Sequence, residues 1–285
     1  MITHWRDFLE LDLETFMLQL KCLMIGDNGT RNKMWTKSEK RGLFDQSTNN
    51  QHHFRFSNMD KIKKIYPRFF HKTCKIGRPV WYKRHYALNF DLIKELDENW
   101  QQNFIMHHIR EQDKLLNYRL PACSESRGEH VGHSIIVMDL EGVRLFQLPR
   151  VYGLLETICN IDANYYPETL AKIIVINAPM LFAGFWQVIK RFLPQETVQK
   201  ISIIGSNYLS ELEELIDLDN IPSFYGGNCK CEDHEGGCEA VDIGPWNDGT
   251  AKGYPIAEWE DMEKQDIATA LPMASSQETL PEESG

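Results

Sequence analysis

Four side chains in the C-terminal third of the chain are of metal-binding type: Cys229, Cys231, His234 and Cys238, in the run Cys229-Lys230-Cys231-Glu232-Asp233-His234-Glu235-Gly236-Gly237-Cys238. Thiolate and imidazole suit zinc, but the run lacks the paired spacings of structural zinc sites. It reads as an exposed, acidic, glycine-rich loop with incidental thiols, and no metal is expected. Spacing also disposes of two catalytic readings. Cys74 and Arg78 are the residue types of a cysteine phosphatase loop, yet they stand too close in sequence for one. Ser134 follows Gly132-His133 and Ser206 follows Gly205, but neither has the second glycine of a nucleophile elbow. No catalytic residue is assigned, and the chain is not expected to be an enzyme.

The elements that would position any site must come from 285 residues, enough for one large domain with a real core. At 42% hydrophobic and 25% charged, the chain is neither disordered throughout nor a disulfide scaffold. Its seven cysteines, an odd number spread over the chain, suit free thiols in a reducing compartment. Apolar stretches are too short to span a bilayer, and those of residues 1–24 are broken by Arg6, Asp7, Glu10, Asp12 and Glu14, so neither signal peptide nor transmembrane helix is expected. The net charge of −10 is unevenly placed. Residues 31–119 carry roughly 19 basic against about nine acidic residues, and residues 207–285 roughly three against about 19. The basic stretch Lys61, Lys63, Lys64, Arg68, Lys72 and Lys75 could face anionic lipid or nucleic acid, or simply be solvated.

Patterning divides the chain into an irregular head (1–58) with helix-compatible alternation between Trp5 and Met24, a well-patterned middle (59–246) and an acidic flexible tail (247–285). Pro79 to Tyr82, Ser134 to Leu140, Lys172 to Ile176 and Ile201 to Ile204 are short β-branched or aromatic runs, the mark of buried strands. Helical patterns lie between them at Phe90 to Tyr118, Tyr152 to Asp162 and Leu181 to Leu193, the last closed by Pro194. Such alternation predicts an α/β domain with a largely parallel sheet.

Eight segments in one order carry a resemblance: His71-Lys72-Thr73 with Gly77-Arg78-Pro79-Val80; Tyr118-Arg119-Leu120-Pro121-Ala122-Cys123-Ser124; Met138-Asp139-Leu140-Glu141-Gly142; Tyr165-Tyr166-Pro167-Glu168; Val175-Ile176-Asn177-Ala178-Pro179; Pro194-Gln195-Glu196-Thr197-Val198-Gln199-Lys200-Ile201; Tyr225-Gly226-Gly227; and Asp242-Ile243-Gly244-Pro245-Trp246. Together they resemble the CRAL-TRIO lipid-binding family, and within it the fungal phosphatidylinositol/phosphatidylcholine transfer proteins. The resemblance implies a largely parallel sheet flooring an apolar pocket under a mobile gate helix. The gate would comprise Phe182, Gly184, Phe185, Trp186 and Ile189, in a segment apolar on more than one face. Exposing two acyl chains of about 30 methylenes to water would cost on the order of 25 kcal/mol, so such a pocket has to match the bilayer.

By the same resemblance, Glu168, Thr197 and Lys200 hold the phosphoinositol headgroup, the carboxylate accepting from hydroxyls while the hydroxyl and ammonium donate to phosphate. A helix beginning behind Pro194 would add free backbone N–H groups there. The family's upstream basic helical segment is not recognisable in residues 1–58. A second, phosphocholine site would fall on Phe70, Trp81, Gln112, Ser134 and Ile136. There three phenols and a threonine hydroxyl are replaced, which predicts a preference for phosphatidylinositol. The implied role is exchange of phosphatidylinositol at cytoplasmic membrane surfaces of the Golgi, endosome or endoplasmic reticulum, supporting phosphoinositide metabolism and vesicle trafficking. Phosphatidylcholine or another lipid is a second ligand, lipid kinases are partners, nucleic acid is not, and the protein is monomeric without cofactors. The alternatives are a lipid sensor or scaffold with the same pocket, and a lipid hydrolase.

Overall fold

Short β-branched runs that cannot sit in water on either face form the centre of the molecule. A computed structural model of the chain describes residues 66–84, 90–96, 99–143, 152–166, 168–180 and 195–251, with residues 182, 186, 187 and 190. The head before residue 66 and the tail after residue 251 lie outside the described residues. Five strands, β1 (Arg68–Thr73), β2 (Pro79–Arg84), β3 (Ser134–Asp139), β4 (Leu170–Ile176) and β5 (Ile201–Ile203), form one sheet in sequential order. β2 to β5 run parallel, and β1 pairs antiparallel with β2.

Between the parallel strands run helices α1 (Phe90–Leu96), α2 (Trp100–Lys114), α3 (Leu120–Arg127), α4 (Tyr152–Tyr165) and α5 (Gln195–Gln199), with α6 (Leu209–Leu215) after β5. Strands in sequential order with crossovers of one hand place α1 to α5 on a single face of the sheet. In agreement, Met106 and Ile109 of α2 pack with Ile161 of α4 and Tyr166. α2 widens into a π-helical turn at Leu115–Arg119, the kind of local insertion that re-aims a side chain inward. Here it buries Arg119.

The strands at Pro79, Ser134, Lys172 and Ile201 stand where the patterning puts them, within two or three residues at their ends. β1 was not among the expected strands. Its sequence Arg-Phe-Phe-His-Lys-Thr mixes charge with aromatics, because it is the antiparallel edge and carries a bulge between Phe70 and Thr73. α3 and α6 also go beyond the expected helices, α6 because its acidic residues hide a narrow buried stripe around Leu212.

One sheet face is closed. Phe69, Tyr82, Val80, Ile135, Val137, Ile174 and Ile176 pack against Leu212 and Ile216, with Ile221 and Tyr225 from the following turns. The opposite face lies under the crossover helices.

Candidate functional site

Register places two rows of side chains across the open face. Phe70, Trp81, Ile136, Ile173 and Ile201 are neighbours on successive strands, and Arg68, Lys83, Met138, Val175 and Ile203 form the next row. Ile136, Met138 and Ile203 stay half-buried, whereas Ile135 and Val137 on the closed face are fully buried. Phe182, expected in the gate, packs on the patch of Leu140, Ile173, Val175 and Ala178, and Trp186 is buried. Gly184, Phe185 and Ile189 lie outside the described residues.

The β1–β2 end of this floor is aromatic and cationic. Phe70 and Trp81 stack at 4.9 Å, and Trp81 also stacks with His108 at 6.2 Å. Lys83 Nζ lies 3.9 Å from the Trp81 ring centroid, and Arg119 Cζ 4.0 Å from that of Phe70. Burial lowers the Lys83 pKa to about 8, Asp162 opposing and Arg68 adding to the shift. His108 Nε2 and Gln112 Nε2 both reach Asp162 Oδ1, at 2.6 and 2.9 Å, while Gln112 Oε1 is buried with no protein partner. Ser134 Oγ donates to the Thr169 carbonyl at 3.1 Å. Of the five residues expected to form a second headgroup site, Phe70, Trp81 and Ile136 share one row, and Gln112 and Ser134 are buried with hydrogen bonds of their own.

Glu168 and Lys200 stand at the N-terminal ends of β4 and β5, the same edge of the sheet. Glu168 is exposed and Lys200 half-buried. Glu168 adopts φ 58°, a left-handed conformation that costs energy for a residue with a Cβ. Both charges act on His133. Burial, Arg78 and Lys200 lower its pKa while Glu168 opposes them. Thr197 sits in the middle of α5, which does begin directly behind Pro194; its side chain lies outside the described residues. Glu168 and Thr169 border an open cleft of about 850 Å³ whose other walls include Leu116, Leu120, His130 and His133. Of the basic stretch, Arg68 turns inward over Phe104 at 4.0 Å, and Lys72 and Lys75 donate to the carbonyls of Asp219 and Glu213.

Motifs far apart in the chain meet in two buried locks. Asp139, fully buried, accepts from Tyr225 Oη at 3.1 Å, Asn177 Nδ2 at 2.8 Å and the Glu141 amide at 3.0 Å. Arg119 pairs with Glu111 at 2.9 Å and with Asp242, whose Oδ1 also accepts from Trp246 Nε1 at 3.0 Å. All of these residues except Glu111 lie in the motifs that carry the resemblance, and only the fold joins them.

The cysteine loop is not as expected. Of its four residues of metal-binding type, Cys238 is buried, Cys229 and Cys231 are half-buried, and His234 is exposed. The three sulfurs converge, with Cys229 to Cys231 and Cys231 to Cys238 both 3.6 Å, and the fourth group among them is His71 from β1. Burial, with Lys72 adding, lowers the His71 pKa to about 4, so the ring is neutral at pH 7. Burial acts to raise the Cys229 thiol, but Lys72 and the neighbouring thiols outweigh it and hold the group below its ordinary value.

A sheet sealed on one face by α6 and the turns after it, with crossover helices on the other, defines an α/β domain. The chain belongs to the CRAL/TRIO domain family, whose model matches residues 63–227. It is 38% identical over 245 residues to "Phosphatidylinositol/phosphatidylcholine transfer protein SFH11" of Arabidopsis thaliana, covering 85% of this chain and 59% of that protein. It is 40% identical over 195 residues to "Sec14 cytosolic factor" of Schizosaccharomyces pombe (68% and 66% covered), and 37% over 195 residues to "SEC14 cytosolic factor" of Candida glabrata (68% and 64%). The chain thus spans 59% to 66% of the length of these relatives. Among solved structures, "Crystal structure of Sfh5" aligns with a TM-score of 0.41 at 18% identity, over 59% of this chain and 55% of that one.

Proposed function

We propose that the protein is a phospholipid carrier rather than an enzyme: it lifts phosphatidylinositol out of one membrane, holds its acyl chains over the open sheet face, and releases it into another. The observation that carries this reading is the floor itself, two rows across five strands with Ile136, Met138 and Ile203 left half-buried. An apolar surface kept open inside a domain costs stability unless a ligand covers it. The names of the relatives support a phospholipid as that ligand. Among the described residues no helix is long and apolar enough to cross a membrane, which agrees with a carrier that visits membrane surfaces. We place those surfaces on the cytoplasmic side of the Golgi, endosome or endoplasmic reticulum, where lipid kinases would use the delivered lipid.

In this reading Glu168, Thr197 and Lys200 engage the phosphoinositol headgroup at the sheet edge. Phosphatidylcholine is the poorer ligand, for a reason beyond the missing phenols. The rings of Trp81 and Phe70 already carry tethered cations, Lys83 and Arg119, so a quaternary ammonium would have to displace or adjoin a like charge. Incubating the purified protein with vesicles of equal phosphatidylinositol and phosphatidylcholine content, then identifying the extracted lipid by mass spectrometry, tests the assignment. Phosphatidylinositol should exceed phosphatidylcholine by about tenfold or more, equivalent to about 1.4 kcal/mol. Equal extraction would refute the preference, an empty protein would refute the carrier, and hydrolysed lipid would favour the hydrolase alternative.

A further inference from the structure

We propose that His71, Cys229, Cys231 and Cys238 hold one structural zinc ion, which clamps the C-terminal loop of the domain onto the edge of the sheet. The ligand atoms of these four residues all lie within 4.8 Å of one another. A tetrahedral ion with Zn–S bonds of ~2.3 Å sets its sulfurs ~3.7 Å apart. The two measured sulfur separations are both 3.6 Å, about what that geometry requires. Three thiolates and one imidazole form the closed ligand set of structural rather than catalytic sites, and their softness selects zinc over the hard cations.

The imidazole supplies an independent argument. His71 is fully buried, and neither of its ring nitrogens has a hydrogen-bond partner. A buried ring with both nitrogens unsatisfied is rare in folded proteins and calls for an ion or another unseen partner. Metal on one nitrogen would meet that need. The hydroxyl of Tyr82, packed edge-on to His71 with ring centroids 6.4 Å apart, is likewise buried without a partner.

Backbone geometry brings the ligands together despite their sequence spacing. The bulge in β1 after Phe70 frees His71 from the β1–β2 ladder, and its backbone bridges to Ile243 instead. Cys231 has φ 49°, and Gly236 and Gly237 have φ 89° and 61°, so the loop turns sharply twice and returns Cys238 to the other thiols. Lys72 completes the arrangement. Three thiolates, a neutral imidazole and Zn²⁺ leave one net negative charge, and the Lys72 ammonium, hydrogen-bonded to Cys229, offsets it.

The test uses the full chain without a polyhistidine tag, produced in zinc-containing medium and assayed for metal by mass spectrometry. The expected result is one zinc per chain, released as thiols are titrated with a mercurial. Exchange with cobalt should give the absorption bands of a tetrahedral thiolate site. His71→Ala and Cys238→Ser should lose the metal, whereas His234→Ala should keep it. Should the ligand variants fail to fold, the wild-type stoichiometry, the cobalt spectrum and His234→Ala still decide the matter. A metal-free wild type whose three thiols titrate freely, a disulfide among them, or zinc lost in His234→Ala would overturn the proposal.

Discussion

At the scale of single residues the account rests on which charges meet the lipid and which merely hold the fold. Glu168→Ala and Lys200→Ala should each lower phosphatidylinositol loading about tenfold or more, the worth of a hydrogen bond to a charged group at about 1.5–3 kcal/mol. Unchanged circular dichroism with reduced loading would support the assignment, and unchanged loading in both variants would remove it. Lys83 makes a different prediction. Its folded pKa of about 8 lies below the ordinary 10.5, so between those values the unfolded chain binds more protons than the folded one. Stability should therefore rise with pH across that window and carry a penalty below it. Lys83→Met should relieve the penalty, stabilising the fold at pH 7 by about 1–2 kcal/mol, a figure discounted for the partial exposure of the side chain. The same variant should increase phosphatidylcholine extraction, because it frees the Trp81 ring. Denaturant titrations at pH 7 and 10 and a vesicle extraction assay check both. The residue types were legible from sequence, but the cations over Trp81 and Phe70 were not, since Lys83 and Arg119 are ordinary basic residues until register and the π-helical turn bring them over the rings.

At the scale of elements, the family motifs prove to be joints. The turn after β3, the turn after β4 and the segment around Tyr225 are tied through Asp139, and the end of α2 is tied to residues 242–246 through Arg119. Asp242→Asn would leave Arg119 buried with one charged partner fewer, and breaking a buried pair costs about 3–5 kcal/mol. A fall in the thermal midpoint is the expected readout, and an unchanged midpoint would show that Glu111 alone satisfies the guanidinium. The gate makes the complementary prediction. Replacing Phe185 and Trp186 with Asp should slow lipid extraction more than it weakens loading, because a charged lid is penalised each time it enters the acyl region. Extraction kinetics from labelled vesicles decide it, and a wild-type rate would exclude the gate role. β3 and β4 were readable because their central residues are apolar on both faces, which leaves near-continuous apolar runs, and Ile201 and Ile203 mark β5. β1 was not, since an edge strand with a bulge keeps no such signature. The cysteine cluster failed for a related reason: its fourth member, His71, lies on β1, far upstream of the loop, and only the fold brings it there.

For the whole molecule, one-handed crossovers collect the helices on one face and leave the other to α6 and the turns behind it, so the two faces of the sheet differ by topology. Of the basic stretch, Arg68, Lys72 and Lys75 contact other groups of the fold, and Lys61, Lys63 and Lys64 lie outside the described residues. What distinguishes a carrier from a sensor with the same pocket is turnover between membranes. Donor vesicles containing labelled phosphatidylinositol and differently labelled phosphatidylcholine, mixed with unlabelled acceptors and a trace of the full chain, measure it directly. Phosphatidylinositol should reach the acceptors in many-fold excess over the protein added, and about tenfold or more faster than phosphatidylcholine. Transfer limited to one lipid per protein molecule, or equal rates for the two lipids, would contradict this expectation.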